Sequence, residues 1–447
     1  MNSRRTFIKN SGMLAASLGL SHFFAEESTA AAPISPQKST ASDRVNIGVI
    51  GVGMGCRDLG AALEDINVHC IAFCDVDKNR RASQVEDFKK RFPDQTKQVQ
   101  EYDDFRKMLE NKELDGVIIA TPDHWHAYVF AEAQKAGKAI YVEKPVANSI
   151  AECNKMVELQ AKYKNVVTTG LWQPSLRYFR AANEILKTGI LGDVYKVQIF
   201  LCNNTNPRPA VDDEVPPSYL DYEMWLGPAR DRPYNSARVR GWRSYWDYGG
   251  GQQTDWGVHW IDSAFDGLKT LGLNNRTYPK SVMSSAYRHP QSFNETPSCQ
   301  TTIFEYDNFH IEWAQQVAYL YNRNQGVVWI GSNATLVCNR EGYQLIPEKT
   351  RDGYLTDSAE LKGKAEDGGV EAHTANWIEC IRTKNIQTTT PVEKGAFATI
   401  LAHAANIAYR TGTKVIYDPK TQKFVNNAAA DAFIKPAYRK PWDKFWS

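Results

Sequence analysis

The sequence predicts a doubly wound α/β domain followed by a second, α+β domain whose strands are mainly antiparallel. Three observations carry that reading. From Val45 onward, short apolar runs alternate with stretches of helical periodicity; from Gly192, longer strand-like segments replace them; and 447 residues is about three times a common domain size, too long for one core. Apolar residues make up 42%, charged residues 23% and aromatics 11%, which excludes collagen-like, coiled-coil and wholly disordered classes. Lys and Arg number 53 against 51 Asp and Glu, and the net charge of +2 leaves no footprint for counterion-driven binding to nucleic acid.

In chain order, the first element is an address rather than a fold. Residues 1–32 run from basic (Arg4, Arg5, Lys9) through mildly apolar (Ser11 to Phe24) to small (Ala30, Ala31, Ala32). The apolar part is too short to span a roughly 30 Å hydrocarbon core and fits a cleaved signal peptide. Its Ser-Arg-Arg-x-Phe-Ile-Lys string resembles the twin-arginine export signal, which implies a periplasmic protein exported already folded. Residues 33–43 form a Pro/Ser/Thr-rich linker. The first domain, 44–170, then reads VNIGVIG, helix 56–66, VHCIAFCD, helix 77–91, LDGVIIATP, helix 124–136, KAIYVEKP, helix 148–163 and NVVTTG. Continuous Val/Ile runs separated by helices mark parallel strands covered on both faces. Residues 171–447 carry DVYKVQIFLC, SVMSSAYR, CQTTIFEYDNFHIEWAQQ and GVVWIGSNATLVC with few helices between them, and close with helical stretches at 373–384 and 393–411. The 8 Cys include no CxxC pair and no zinc-like spacing, so buried free thiols are expected, with neither a disulfide framework nor a metal. No later apolar run reaches the about 18 residues of a membrane helix, which predicts a mature protein with no membrane association.

Four motifs sit at ends of these elements. Gly51-Val52-Gly53-Met54-Gly55-Cys56 follows the first strand and opens a helix, the context in which glycines let a backbone approach a pyrophosphate at a helix N-terminus. Asp75 closes the second strand, where an acid accepts from a ribose 2′-OH and repels a 2′-phosphate; Arg80 and Arg81 soften that preference. Thr121-Pro122-Asp123-His124-Trp125-His126 ends the next strand with Asp123 as a natural helix N-cap, and Glu143-Lys144-Pro145 ends the one after it. In the second domain, Gly249-Gly250-Gly251 precedes Asp255 and His259, four apart and therefore on one face of a helix, with Trp242, Trp246, Trp256 and Trp260 as an aromatic wall for a sugar. Taken singly, each motif has a bland counterpart: a glycine turn, a strand-end acid, a surface Glu-Lys pair, a core histidine.

Jointly, GVGMG, ATPDHWH, EKP and GGGxxxDWGVHxxD (Gly249 to Asp262) resemble the Gfo/Idh/MocA oxidoreductases, above all the exported members related to glucose–fructose oxidoreductase and inositol dehydrogenases. The likeness covers nearly the whole mature chain, including WLGPA at 225–229 and HTANWIECIR at 373–382. It implies a Rossmann domain carrying NAD, with NADP possible, and a C-terminal domain with a large, mostly antiparallel open sheet that mediates homodimers or homotetramers. It also implies roles: Lys144 on the reacting hydroxyl, His259 as general acid/base, Asp255 orienting or sharing that work, and Thr121, Pro122, His126 and Glu143 along the nicotinamide, beside Gly51, Val52, Gly53, Met54, Gly55 and Asp75 on the rest of the dinucleotide. Two departures stand out. Cys56 replaces the last fingerprint glycine, and Gln173-Pro174-Ser175 stands where many relatives carry Gln-x-Arg.

The expected activity is hydride transfer from a secondary hydroxyl of a sugar, cyclitol or glycoside. Outside the cytoplasm no pool of free NAD replenishes a lost cofactor, so a retained cofactor and a self-restoring cycle are expected. The alternatives are a redox glycoside hydrolase acting through transient sugar oxidation, and a non-catalytic sensor.

Overall fold

The computed structural model describes residues 44–202, 208–316, 325–362 and 369–447. The signal and linker expected before residue 44 lie outside the described residues.

The first domain is a six-stranded parallel sheet in the order β3-β2-β1-β4-β5-β6. In chain order, β1 (Val45–Ile50) leads to α1 (Gly55–Ala62), β2 (Val68–Cys74) to α2 (Lys78–Arg91), and β3 (Gln100–Tyr102) to α3 (Phe105–Leu109). Next, β4 (Gly116–Ile119) leads to α4 (Asp123–Lys135) and β5 (Ala139–Val142) to α5 (Ile150–Tyr163), before β6 (Val167–Thr169). Strands β4 and β5 are buried at every position, as their unbroken Val/Ile sequences require of strands covered on both faces. Helices start where side chains cap them: Asp77 accepts from Arg80 N before α2, and Ser149 from Glu152 N before α5. Strand β3 escaped the sequence reading because its Gln-Glu-Tyr text carries no apolar run.

The second domain opens with α6 (Arg177–Lys187), β7 (Val194–Cys202), α7 (Tyr222–Leu226), α8 (Ser236–Arg240), α9 (Gly251–Asp255) and α10 (Gly257–Thr270). The expectation of few helices here is corrected: α7 and α8 are too short for a periodic signal and are held by local caps, Asp221 to Met224 N and Asn235 to Arg238 N. Strands β8 (Ser281–Tyr287), β9 (Cys299–Glu305), β10 (His310–Gln316), β11 (Gln325–Gly331), β12 (Ala334–Asn339) and β13 (Gly342–Pro347) follow. After the small hairpin β14 (Lys349–Thr350) and β15 (Gly353–Tyr354), β16 (Ala359–Lys362) completes an eight-stranded sheet ordered β16-β13-β12-β11-β7-β10-β9-β8. It is antiparallel throughout except where β7 lies parallel to β10.

Helices join the two sheets. Helix α10 lies close on β11, because an added Cβ at Gly267 would fall 2.5 Å from the Trp329 indole. α11 (Gly369–Thr383) returns to the first domain, where Trp377 lies fully buried against Gly116. α12 (Val392–Thr411) is buried continuously from Gly395 to Ala408 and packs on α5, α10 and β8. Residues of both sheets therefore belong to one apolar core. All eight cysteines are free, with Cys56 and Cys299 half-buried and the rest buried.

Candidate active site

A crevice of about 720 Å³ opens at the carboxyl ends of β1, β4 and β5, beside the point where the strand order turns. Its first wall is made of backbone. Gly51 sits at φ +87°, and a Cβ there would lie 2.6 Å from the Ala120 carbonyl oxygen, so only glycine lets β1 turn against β4. At Gly55 an added Cβ would lie 2.6 Å from Val49 Cγ1, whereas at Gly53 it would meet open space. Asp75 accepts from Val52 N at 3.0 Å and from Asp77 N at 2.9 Å, which ties the Gly-rich turn to the end of β2. Burial pushes the Asp75 carboxyl up, against the pull of those two bonds. Burial also pushes the Cys56 thiol up to about 12, so the residue replacing the third glycine behaves as a small packing group.

Gly51, Gly53, Met54, Asp75, Thr121, Pro122, His126, Glu143 and Lys144 all line this crevice. Two members of the expected dinucleotide set do not. Val52 is fully buried with its N–H spent on Asp75, and Gly55 packs against β1. His126 stands between two loops: its Nδ1 and Nε2 each lie 2.8 Å from a backbone carbonyl, those of Pro145 and Thr121, and with burial lowering its proton affinity the neutral ring donates to one of them. Asp123 is not the N-cap, which is Pro122; it is the first residue of α4, buried, and lines the crevice. Burial pushes its carboxyl well up, opposed by Arg243.

The second wall is made of side chains. Lys144 Nζ donates to Asp255 Oδ1 at 2.7 Å and to the Asp255 carbonyl at 2.9 Å, an ion pair across the domain junction with both groups largely buried. Arg243 Nε reaches the same carboxylate at 3.1 Å, lies over the Trp242 ring and touches Met54 Sδ of the Gly-rich turn at 3.4 Å. Burial alone would raise the Asp255 carboxyl, but Lys144 and Arg243 outweigh it and hold the group below its ordinary value. Glu143 pairs with Arg57 at 3.3 Å, and the missing side chain of Gly170 makes room for its carboxylate.

Asp255 and His259 stand on two successive helices rather than on one continuous helix. The helix breaks at Trp256, between α9 and α10, and the Lys144 ammonium caps the Asp255 carbonyl at that break. Gly251, at φ +67° with a would-be Cβ 2.7 Å from Thr296, sets the entry into α9. His259 is 4% exposed; its Nδ1 is sealed without a hydrogen-bond partner. Burial lowers its proton affinity well below the ordinary value, and Arg340, Lys144 and Arg57 add to that, so the imidazole is neutral at pH 7. Of the expected aromatic wall only Trp256 borders His259; the other ring beside it is Trp172. Trp260 is core, Trp246 lies under Arg410, and Trp242 lines the crevice. Arg57, Arg243, Trp172 and Arg340 were thus missed, and none carries a local signal; Asp123 stood in the ATPDHWH motif but was read as a helix cap.

Residues 214–243 cross the open side of the crevice. Lys78 N donates to Tyr219 O at 2.9 Å and Asp221 N to Val76 O at 3.0 Å, stitching this strap to the end of β2, and Glu214, Pro217, Tyr219 and Tyr234 face the cavity beside Asp75. The features fit a dinucleotide: a glycine open to the cavity, a helix N-terminus behind it, and a buried Thr121 hydroxyl without a partner.

Residues 45–171 match the family model for the Gfo/Idh/MocA oxidoreductases' NAD-binding Rossmann fold, and 184–308 with 311–444 match that family's C-terminal alpha/beta domain. Among curated proteins, the chain is 31% identical over 172 residues to a glycosyl hydrolase family 109 protein of Saccharopolyspora erythraea, covering 36% of this chain and 37% of that one. It is 27% identical over 168 residues to the inositol 2-dehydrogenase of Serratia proteamaculans, covering 36% and 46%. The match thus spans less than half the length of these relatives. Levoglucosan dehydrogenase, solved with NADH and levoglucosan, superposes with a TM-score of 0.62 at 16% identity, covering 83% of this chain and 99% of that one. The first domain is an NAD-binding Rossmann domain.

Proposed function

The chain belongs to the Gfo/Idh/MocA oxidoreductase family, and from that premise we propose that it oxidises a secondary hydroxyl of a sugar, cyclitol or glycoside, keeps its NAD bound through turnover, and restores it by passing the hydride to the carbonyl of a second sugar. The observation that carries this reading is the Lys144–Asp255 ion pair, which joins a residue from the dinucleotide crevice to the segment bearing His259. Gly51, Gly53, Met54, Asp75, Thr121 and Glu143 would hold the dinucleotide, which when bound supplies the acceptor for the hydride. Lys144, already desolvated and anchored, steadies the alkoxide that develops on the substrate. His259, neutral because it is buried among cations, takes the hydroxyl proton. Asp255 holds the ammonium in place. Arg81 is spent on Asp103 at 2.6 Å, Glu101 at 3.2 Å and the Asp75 carbonyl at 2.7 Å, so beside Asp75 only Arg80 of the pair faces the crevice, and NAD is favoured over NADP.

Retention rests on the strap across the crevice and on the expected export to the periplasm. Association into dimers or tetramers would use the eight-stranded sheet, where Tyr195, Met283 and Ile346 are exposed. Mass spectrometry of nucleotide released on denaturing native protein, followed by a sugar panel read by nicotinamide absorbance, tests the proposal. Protein that emerges from dialysis without nucleotide and needs added NAD for turnover would rule out retention. The glycoside hydrolase relatives and the closed strap favour one second reading, a hydrolase that takes and returns its hydride within one cycle; release of nitrophenol from a nitrophenyl glycoside without added NAD would establish it.

A further inference from the structure

Arg340, the residue after β12, makes no ion pair among the described residues, and the carboxylates of Glu143 and Asp255 act on it only from beyond contact distance. Its Nη2 donates to Gln173 Oε1 at 3.2 Å, Nε is sealed without a partner, and Nη1 takes no hydrogen bond. Its guanidinium carbon lies 4.4 Å from the Trp172 ring centre and 5.0 Å from that of Trp256, and these two indoles also flank His259, at 6.2 and 6.4 Å. Gln173 links the two groups further, since its Nε2 donates to Ser263 Oγ, which donates to the His259 carbonyl. The neighbouring cations differ: Lys144 and Arg243 share Asp255, and Arg57 has Asp58 and Glu143. Burying a charge without a partner is costly, and cation–π contact recovers only part of that cost. None of Arg340, Trp172 and Trp256 lines the dinucleotide crevice, so the cofactor's phosphates are not the missing partner.

We propose that Arg340 recognises an oxyanion carried by the substrate, so that within the activity proposed above, on which this inference rests, the preferred substrate is an acidic sugar, a uronate or a sulfated sugar, rather than a neutral one. The Trp172 and Trp256 indoles flank both the guanidinium and the general base, so an oxyanion bound to Arg340 would lie on the same aromatic pair as His259. A carboxylate or sulfate held there sets which ring hydroxyl reaches His259.

The test uses matched pairs, glucose with glucuronate, galactose with galacturonate and glucose with glucose 6-sulfate, on the full holoprotein. Binding is read by quenching of tryptophan fluorescence, which needs no turnover, and kcat/KM is measured alongside. Wild type is expected to favour the acidic member by roughly 10- to 100-fold, the span of one charge-assisted contact. Arg340→Met should abolish that ratio, and Arg340→Lys should keep part of it. The uronate and sulfate arms decide which oxyanion is the natural one. Equal binding of both members, no response to any pair, or an acid preference that survives Arg340→Met would overturn the proposal. Preferential binding of the acids with no turnover would leave Arg340's role standing and defeat the proposed oxidation instead.

Discussion

The two walls of the crevice are built by different physical means. On the dinucleotide side the chain relies on its backbone: Gly51 turns where no Cβ fits, Asp75 grips the Val52 amide, and His126 sits between two backbone carbonyls and donates to one of them. On the substrate side it uses charged and aromatic side chains from three separate segments: Lys144 and Arg243 line the crevice and share Asp255, while His259 and Arg340 lie outside its lining, flanked by Trp172 and Trp256. A backbone wall is specified by local steric rules and tolerates little change. A side-chain wall is specified by long-range packing and can be retuned one residue at a time.

Five substitutions break or sharpen that contrast, in falling order of effect. Lys144→Ala removes the ammonium from the shared Asp255, and kcat should fall by about 10³-fold or more, with nucleotide still bound, as single-turnover kinetics would register. Gly51→Val and Gly53→Val contrast two glycines of one turn. The first forces a side chain onto the Ala120 carbonyl at positive φ and should cost about 3 kcal/mol or more of stability in denaturant unfolding. The second fills open cavity and should leave stability nearly unchanged while the purified protein loses its nucleotide. Asp221→Pro fits the native φ of −73° but deletes the N–H bonded to Val76 O and the cap on Met224 N, so the strap should loosen and nucleotide dissociate about tenfold faster after desalting. The smallest effect concerns pH. A base must be deprotonated, and the proton affinity of His259 is lowered, so the acid limb of kcat/KM should lie below the ordinary histidine value of about 6.5. Arg340→Met removes a repelling cation and should move that limb to higher pH.

The same contrast explains what the sequence disclosed. The GVGMG turn, Asp75 and the Glu143-Lys144-Pro145 segment were legible because glycine, proline and strand-end acids act within a few residues of themselves. The break at Trp256 was not, since the Asp-x-x-x-His spacing fits a continuous helix and the ammonium that caps the break arrives from another domain. Trp172 and Arg340 lie outside every motif and meet His259 only through the packing of β12 and the turn after β6. Trp260 looked like a binding surface and became core because α10 presents that face to Phe179.

The long helix from Val392 to Thr411 carries a consequence for how the molecule moves. Buried along most of its length and packed against elements of both domains, it ties the halves together, so a swing of one against the other would have to break that shared packing. Ligands must come and go by local fraying, and heat should melt the whole chain in a single calorimetric step with its halves inseparable.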